Sequence, residues 1–573
     1  MVVSVSPSSL SSMTEQLTLA GGGPDPFQIT VLVAAAATTL VLTFPHLVAG
    51  LHALQQDDYS NPRFARWLGT SKTRLVHGRI ALVYVAGSLL QIALSTSPAQ
   101  SWVPALASTV AVFVAVRSTR RAPYKKPLVY TGRARRLLAV SVALAALLFV
   151  AGFFVVSRLA EAIGLAAASC PGLAVLMMAL VSIHAAPFAV VAANLCLAPI
   201  QGSINLVYRV RARRKLARLT PMVVGITGSY GKTSTKYFTE ALLESRFRVL
   251  KTRASFNTIL GVCRAINEEL GPEHQVLIVE MGAYRQGEIR DMARLTRPHI
   301  GVLTAIGPQH LERFGSIETI EKAKFELLES LAPDGVAVVN NDDPRVRRLA
   351  NGLRLPDIRR YGIDTTAGEL DLAAEAIAHG RDGLSFTLVE RHGARVTVKT
   401  RLIGLHNVSN ILAAATVARA VGVSLREIAG AIGRLQPVPH RLQTNTGADG
   451  VTIIDDAYNS NPVGATNALD ALAAFETGRK ILVTPGMVEL GVEQDAWNEE
   501  FGARAADICD FVILVGTRQT AAIRRGLDGR GFAADRVTSA RNLNEGLEAL
   551  KGIVRAGDVV LFENDLPDLY DEE

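Results

Sequence analysis

The stretch Met222 to Glu240, MVVGITGSYGKTSTKYFTE, decides how the rest of the chain is read. Val223 to Ile226 is a short apolar run of the kind that forms a buried strand. It breaks at Gly228, and a helical pattern starts near Lys232. The glycines let main-chain N–H groups turn into one cavity, and the following helix adds its positive N-terminal end. Gly228, Ser229 and Gly231 therefore form a loop suited to a polyphosphate. Lys232 would meet the outer phosphates and Thr233 would ligate Mg²⁺. The usual spacing of such loops puts a glycine where Ile226 stands. Here Gly228 precedes Gly231 by three residues, a compressed form, TGSYGKT. A chance glycine-rich turn is the alternative, and the agreement of strand, loop and helix signals argues against it.

Working outward, the 573 residues leave room for several domains, and their composition is not uniform. Apolar residues dominate up to about Pro199, and a charged, Gly-punctuated α/β pattern follows. The net charge of +8 invites a nucleic-acid reading. The basic residues cluster beside apolar segments, however, so a membrane surface explains them better and no nucleic-acid partner is expected. Cys170, Cys196, Cys263 and Cys509 lie far apart with no metal-ligand spacing, which fits a reduced compartment.

Residues 1–26 are Ser- and Gly-rich and read as a flexible tail without the basic start of a signal peptide. Phe27 to about Leu54 is apolar and uncharged for long enough to cross a bilayer, which takes roughly 20 residues. Ile80 to Leu94, Trp102 to Val116, Leu137 to Val156 and Leu173 to about Leu197 are further candidate spans. The second and third are short enough to be core helices instead; Pro187 could kink or split the last, which is read as one long helix, broken or not, because six spans would put the phosphate loop on the wrong side. Arg63 to Arg79 and Arg117 to Arg136 are basic loops, cytoplasmic by the positive-inside rule. Five spans then leave everything after Leu197 inside the cell, at the inner face of the cell membrane, with Arg209 to Arg218 as a basic anchor. The membrane part carries no mid-span charge and no internal repeat, so a transport pathway is not indicated; His184 is its polar exception, with a helix-packing role.

After Met222, apolar runs alternate with helical patterns as βαβ units do. The runs are Val223 to Thr227, Val276 to Val279, Gly301 to Ala305, Val336 to Val339, Val451 to Ile454, Lys480 to Val483, Phe511 to Val515 and Val559 to Phe562. The proline-bearing segment Arg434 to Arg441 separates two such series and marks a domain boundary. The expected architecture is an N-terminal α-helical transmembrane domain followed by α/β: a P-loop ATPase-type parallel-sheet domain and a C-terminal Rossmann-like domain. Ligands bind beyond the carboxyl ends of strands in such sheets. Glu280 ends one run and His310 follows another, and with Thr233 they make a plausible Mg²⁺ shell. Each alone is weak, since a carboxylate at a strand end is often a helix cap and a lone histidine is often structural. Lys322, Lys324 and Glu326 read by default as a solvated helix face.

These residues resemble the Mur ligases of peptidoglycan synthesis, and among them the D-alanyl-D-alanine-adding member. The likeness covers roughly Pro221 to Phe562. It rests on TGSYGKTSTK, SFNTILGV from Ser255, VEMGAYRQGEI from Val279, GPQHLERFGSIETIEKAKFELL, GLHNVSNILAAA from Gly404, PHRLQ, IDDAYNSNP and GMVELG, in that order. The resemblance implies an ATP-dependent carboxylate–amine ligase in which a carboxylate attacks the γ-phosphate and an amine then attacks the acyl phosphate. Lys232 and Mg²⁺ would neutralise charge as two anions approach.

By the same resemblance, Ser234 continues the phosphate loop, Asn257 faces the phosphates, and Glu280 and His310 are Mg²⁺ ligands. Lys324 matches the family lysine carbamoylated by CO₂, which would give a second Mg²⁺ an oxygen donor. His406, Asn407 and Asn410 match the segment that holds adenine, with helix capping as the alternative for Asn407. His440 and Arg441 match a pair that meets the nucleotide when the domains close about a hinge near Pro437 to Pro439. Asp456, Tyr458, Asn459 and Asn461 match the ribose and phosphate side. The implied division is a tail (1–26), a transmembrane domain (27–200), a basic juxtamembrane linker (201–220), a central ATP-binding domain (221–437) and a C-terminal domain (438–573).

Two departures bear on the substrate. Membrane spans stand where the resembling enzymes have a domain that grips the UDP-sugar. Where those enzymes have a Lys-Gly-Ser-Arg segment after the last strand, this chain reads FENDLPDLYDEE. The cluster Glu563, Asn564, Asp565 would repel a carboxylate and could greet an amine or a metal; a solvated acidic tail is the alternative. The leading expectation is a membrane-anchored ligase acting on peptide material of the cell envelope, UDP- or lipid-linked. A ligase for another envelope polymer of the polyglutamate type, and a catalytically silent membrane scaffold, are the competing readings.

Overall fold

The computed structural model describes residues 26–69, 78–94, 107, 127–164, 170–253, 256–364, 369–380, 383–458 and 460–565. The candidate span Trp102 to Val116, residues 70–77 and 117–126 of the basic loops, residues 1–25 of the tail, Ser255 and Asn459 therefore lie outside the described residues, residue 107 apart. The chain forms two compact units, Met1–Ser203 and Ile204–Glu573.

The first unit is helical: α1 (Pro26–Gln56), α2 (Asn61–Gly69), α3 (Gly78–Leu94), α4 (Gly132–Ala162) and the start of α5 (Cys170–Leu219). Thr131 opens α4 by accepting the Ala134 N–H at 3.1 Å. Three helices, within Val33–Gln56, Gly132–Ala162 and Gly172–Leu219, are long and apolar enough to cross a membrane by length and composition. At 17 residues α3 is shorter than the roughly 20 a perpendicular crossing takes. Leu47, Leu51, Leu54, Phe64, Leu137 and Val190 form an inner cluster, while Leu147, Phe154, Leu159, Phe188 and Leu195 point outward and exposed.

The last candidate span is one long helix, as expected, and α5 runs through both Pro187 and Pro199 without a break. The basic juxtamembrane segment 201–220 is itself helical up to Leu219. In the second unit its Ala212 and Leu216 are buried beside Val262 and Ile266, and Lys215 Nζ donates to Asn267 O at 3.0 Å. His184 is not the sole polar exception: His46 and His52 are both buried on α1. His184 does use its ring within its own helix, with Nδ1 2.8 Å from Leu180 O.

The second unit holds two sheets. The first has nine strands, β1 (Met222–Thr227), β2 (Val249–Lys251), β3 (Val276–Glu280), β4 (Ile300–Leu303), β5 (Val336–Asn340), β6 (Asp357–Gly362), β7 (Leu372–Gly380), β8 (Gly383–Glu390) and β9 (Arg395–Thr400), in the order β2-β3-β1-β4-β5-β6-β7-β8-β9. It is parallel as far as β7 and ends in the antiparallel ladder β7-β8-β9. Its central strands β1, β3 and β5 are apolar up to their last residue because both faces are covered. Val224, Ile226 and Ile278 pack with Phe238 and Leu242, while Val223, Leu277 and Val279 pack with Val262, Ile266 and Leu327 on the other face.

The second sheet has six strands, β10 (Gln443–Thr446), β11 (Thr452–Asp456), β12 (Lys480–Thr484), β13 (Phe511–Val515), β14 (Val537–Ala540) and β15 (Val559–Glu563), in the order β10-β11-β15-β12-β13-β14. Only the β10-β11 pair is antiparallel. All the expected runs lie in these sheets, each shifted by at most a few residues. Short β2, β10 and β14 and the ladder β6 to β9 were not anticipated.

Candidate active site

The loop after β1 is tied to the segment after β4. Thr304 Oγ1 donates to Tyr230 O at 2.5 Å, and Ser229 N–H donates to Ala305 O at 2.7 Å. Ser229 Oγ and Gly307 also bond each other through 3.0 Å contacts. Ser229 is thus spent on holding the loop, both at its N–H and at its hydroxyl. Gly228 and Gly231 have φ of 150° and 78°, and an added Cβ would lie 2.0 Å from Thr304 Oγ1 and 2.3 Å from Asn410 Oδ1 respectively. Only glycine lets the loop lie this close to its neighbours.

Helix α6 (Lys232–Leu243) starts with no side-chain cap, so its first N–H groups face the loop cavity. Ser234 is buried in its first turn. Lys232 Nζ arches back to Gly228 O (2.6 Å), Ser229 O (3.0 Å) and Gln309 Oε1 (3.4 Å). Burial pushes its pKa down to about 8; Glu280 opposes the shift and Arg441 adds to it.

Glu280, 2% exposed at the end of β3, is the hub. Thr233 Oγ1 lies 3.2 Å from both of its oxygens, and Asn257 Nδ2 donates to Oε1 at 3.3 Å. The sequence reading gave no role to Lys236, which is 0% exposed and pairs with Glu280 at 2.9 Å. Its signal was its place one helical turn after Lys232, on the face that packs on the sheet.

The helix α7 (Ile317–Glu329) corrects the solvated-face reading: Lys322 is exposed, but Lys324 is 2% exposed and Glu326 is buried. Glu326 accepts the N–H groups of Gly287 (2.6 Å) and Arg290 (3.0 Å) and so caps the neighbouring helix Glu288–Thr296. Among the described residues Lys324 makes no hydrogen bond or ion pair; its Nζ lies 5.7 Å from the Phe314 ring centre. Burial, then the charge of Lys232, pushes its pKa well below the usual lysine range.

His310 stands in the left-handed region, with φ of 55°. Its Nδ1 bonds Glu489 of the six-stranded domain, and Arg313 donates to the other oxygen of Glu489 at 2.8 Å. Burial lowers the His310 pKa. Burial alone would raise that of Glu489, but the bonds and charges of His310 and Arg313 bring it to about 2. No three His, Cys, Asp or Glu side chains among the described residues form a metal cage. Mg²⁺ does not require one, since it is commonly held by one or two carboxylates, water and substrate phosphates. The buried carboxylate of Glu280 with the Thr233 hydroxyl beside it fits that chemistry.

The remaining predicted residues fall into two groups. In the helix α8 (Leu405–Ala420), Asn407 Nδ2 donates to Ile403 O at 2.8 Å and Asn410 Nδ2 lies 3.4 Å from Asn407 Oδ1. Asn410 Oδ1 is 3.4 Å from Thr235 Oγ1, so the two amides fasten α8 to α6. The buried Nδ1 of His406 has no hydrogen-bond partner among the described residues, and burial followed by Arg441 pushes its pKa down to about 4. In the six-stranded domain, His440 Nδ1 lies 2.7 Å from Asp455 Oδ2, and Arg441 stacks 4.6 Å from the Tyr458 ring centre.

Asp456 Oδ1 accepts the Leu442 N–H at 3.2 Å, and burial raises the Asp456 pKa to about 6 against the pull of Arg441. Asn461 caps the helix α9 (Pro462–Ala473), accepting the Gly464 N–H at 2.8 Å. Glu563 is neither a solvated tail nor open to an amine. It is 1% exposed, accepts hydrogen bonds from Ser460 and Thr484 (2.8 Å to the latter), and burial raises its pKa to about 7.

Residues 226–418 match the Mur ligase middle domain, and residues 440–563 match the Mur ligase glutamate ligase domain. The UDP-N-acetylmuramoyl-tripeptide--D-alanyl-D-alanine ligase of Mycobacterium tuberculosis is 36% identical over 370 residues, 60% of this chain and 70% of that protein. The protein of the same name from Bacillus subtilis is 31% identical over 355 residues, 61% of this chain and 75% of that protein. Among solved structures, MurF from Acinetobacter baumannii superposes with a TM-score of 0.58 at 27% identity, covering 64% of this chain and 78% of its own. The MurF ligase from Thermotoga maritima in complex with ADP does so with a TM-score of 0.57 at 27% identity, covering 63% and 80%. The loop, the two sheets in series and the ordered motifs along them have one common source: this chain belongs to the Mur ligase family of ATP-dependent amide ligases.

Proposed function

We propose that this chain is anchored in the cell membrane by its first 200 residues or so and joins a carboxylate to an amine in peptidoglycan precursor synthesis or modification, on the cytoplasmic face. The observation that carries the reading is the convergence of Lys232, Thr233, Glu280, His310 and Lys324 at the carboxyl edge of one parallel sheet. Relatives named for joining D-alanyl-D-alanine to UDP-N-acetylmuramoyl-tripeptide support the substrate class. The apolar helices, their outward Leu and Phe side chains and the basic residues beside them support the anchoring. We divide the chain as the motifs suggest, with the ATP-binding domain at 221–437 and the C-terminal domain at 438–573.

A substrate carboxylate oxygen attacks the γ-phosphorus of ATP, the bond to the β-phosphate oxygen breaks, and ADP leaves. The amine nitrogen then attacks the acyl carbon, phosphate departs with the acyl oxygen, and the amine gives up a proton. Lys232 follows the outer phosphates, the first N–H groups of α6 hold them, and Arg441 closes on the γ-phosphate from the second domain. Asn257 faces the phosphates, His406, Asn407 and Asn410 border the adenine, and His440, Asp456, Tyr458 and Asn461 border the ribose side. Thr233, Glu280 and His310 would hold Mg²⁺, which neutralises charge between the two reacting anions when bound. Lys324, buried and disposed to lose its proton, is primed to add CO₂ and become a carbamate, an oxygen donor at the same edge.

The test is ADP release by the detergent-solubilised full chain against UDP-linked and lipid-linked muramoyl peptides paired with D-alanyl-D-alanine and other amines. One pair should stimulate release, and Lys232→Ala should lower it by about 10²–10³-fold. If no pair stimulates release, or the variant matches the parent, the proposal fails.

A further inference from the structure

The contact between Glu489 and His310 joins the two sheet domains at the reaction edge, and its geometry says more than that they touch. Glu489 lies in the loop after β12, which is held in place on two sides. Asn498 receives the Met487 N–H at 2.9 Å and donates to Met487 O at 3.0 Å, and Asn564 donates to Gly486 O at 2.6 Å. Glu489 itself is in the left-handed region with φ of 64°, a backbone state that a non-glycine residue keeps only when its surroundings impose it. Its carbonyl accepts the Glu312 N–H at 3.2 Å, so its main chain as well as its side chain meets the segment that carries His310.

The carboxylate of Glu489 is shared. Oε1 accepts from Arg313 at 2.8 Å, and Oε2 faces Nδ1 of His310. The His310 ring is also held by Tyr284, edge to face at 4.8 Å, and Arg313 stacks on the same tyrosine at 4.1 Å. Because a carboxylate only accepts, Nδ1 must carry the hydrogen, and the neutral ring then offers the lone pair of Nε2. A carboxylate behind an imidazole is a common way to fix tautomer and orientation in a ligand to a divalent cation.

We propose that Glu489 is a positioning residue that sets His310 in the Nδ1–H tautomer, so that docking of the C-terminal domain completes the divalent-cation site of the central domain. The inference rests on the reading of His310 as a cation ligand given under Proposed function. On this view the site for the cation is not finished until the domains meet. The Asn564 that follows Glu563 then belongs to the same device, since it braces the loop that presents Glu489.

The test uses Mn²⁺ as the probe, titrated by electron paramagnetic resonance into the full detergent-solubilised chain with a non-hydrolysable ATP analogue. In Glu489→Gln the amide oxygen stays with Arg313 and the amide NH₂ turns to Nδ1, which forces the hydrogen onto Nε2. Mn²⁺ affinity should fall about 10-fold or more. His310→Ala should fall as far, and the double variant no further. Arg313→Leu removes the ion pair but leaves the Glu489–His310 bond, and its affinity should stay within about threefold of the parent. A role in domain docking alone predicts equal losses for Glu489→Gln and Arg313→Leu, and that result would overturn the proposal. Glu489→Gln within twofold of the parent overturns it as well. If His310→Ala keeps the parent's affinity, the ligand reading of His310 falls first. Should Glu489→Gln not fold, Glu489→Asp is read on the same scale; it keeps the acceptor but withdraws it by one methylene, and parent-like affinity overturns the proposal.

Discussion

The carboxyl edges of the two parallel sheets carry opposite electrostatics. At the nine-stranded sheet, Lys232 and Lys324 repel each other across a buried edge, and both are pushed toward losing their protons. At the six-stranded sheet, Asp456 and Glu563 face each other from paired strand ends, and both are pushed toward keeping theirs. At the first edge Lys232 is met by two main-chain carbonyls and the Gln309 amide oxygen but bonds no carboxylate, and Lys324 makes no hydrogen bond or ion pair among the described residues, so a polyanion would answer the remaining charge. At the second edge the Glu563 carboxylate is met from within, by the hydroxyls of Ser460 and Thr484. One edge is built to receive charge. The other is built to hold the loops after β11 and β12 in register.

The contrast can be broken first at Lys236. If the pair with Glu280 is what makes the first edge stable without ligand, Lys236→Met leaves a buried carboxylate without its counter-charge. Unfolding followed in denaturant should show a loss of about 3–5 kcal/mol. A loss below about 1 kcal/mol would mean that Glu280 is answered by Thr233 and Asn257 alone.

A somewhat smaller effect is expected at Lys324, whose ammonium is the least satisfied charge of the edge. Lys324→Gln should slow ADP release by about 10²-fold or more, with little change in melting temperature. If the lysine works as a carbamate, stripping CO₂ from the buffer should slow the parent and added bicarbonate should restore it, while the variant ignores both. A parent indifferent to bicarbonate that also matches the variant would return Lys324 to the role of a core residue.

The second edge is probed by Glu563→Gln. Burial raises the folded pKa of Glu563 to about 7 from an ordinary glutamate value. Its protonated form is therefore favoured in the folded state, and the stability it contributes is present in full below about pH 4.5 and lost as pH rises through 7. The glutamine variant should melt close to the parent at pH 5 and above it at pH 8, by the equivalent of about 1–3 kcal/mol. Equal melting temperatures at both values would show that the hydroxyls compensate the buried charge completely.

What the sequence could show follows the same division. The first edge was legible because a phosphate loop ties glycine, lysine and threonine to fixed offsets at a strand–helix junction. The strands were legible wherever both faces are buried and the run is continuous. The ladder β7 to β9 was missed although Leu384, Phe386 and Leu388 alternate inward along β8; its signal has a period of two, not a continuous run. Lys236, Glu326 and Glu489 were missed for another reason. Each is defined by a partner 36 to 179 residues away; helical spacing could place Lys236 on the face toward the sheet, but local pattern does not name the partner of any of the three. For Glu563 neither the amine- or metal-facing cluster nor its alternative, a solvated tail, foresaw a carboxylate covered by two hydroxyls, because burial is decided by the strand it ends.

Asn461 offers the finest discrimination between the two edges. The family resemblance puts it on the ribose side of the nucleotide, whereas the structure uses its side chain to cap α9, where Oδ1 meets the Gly464 N–H. Its Nδ2 is the atom left for a ligand by that arrangement, so the two roles can be separated. Asn461→Asp keeps a capping oxygen and adds favourable charge at the helix N-terminus, while replacing the only donor with an acceptor. Asn461→Ala removes cap and donor together and should cost about 1 kcal/mol of stability. If the residue is only a cap, the aspartate variant keeps both stability and affinity for an ATP analogue. If the amide also meets the nucleotide, the aspartate variant keeps its melting temperature but loses affinity. Asn461 would then join the residues through which the second edge meets the nucleotide, and the contrast between the two sheets would narrow to Glu563 and its hydroxyl partners.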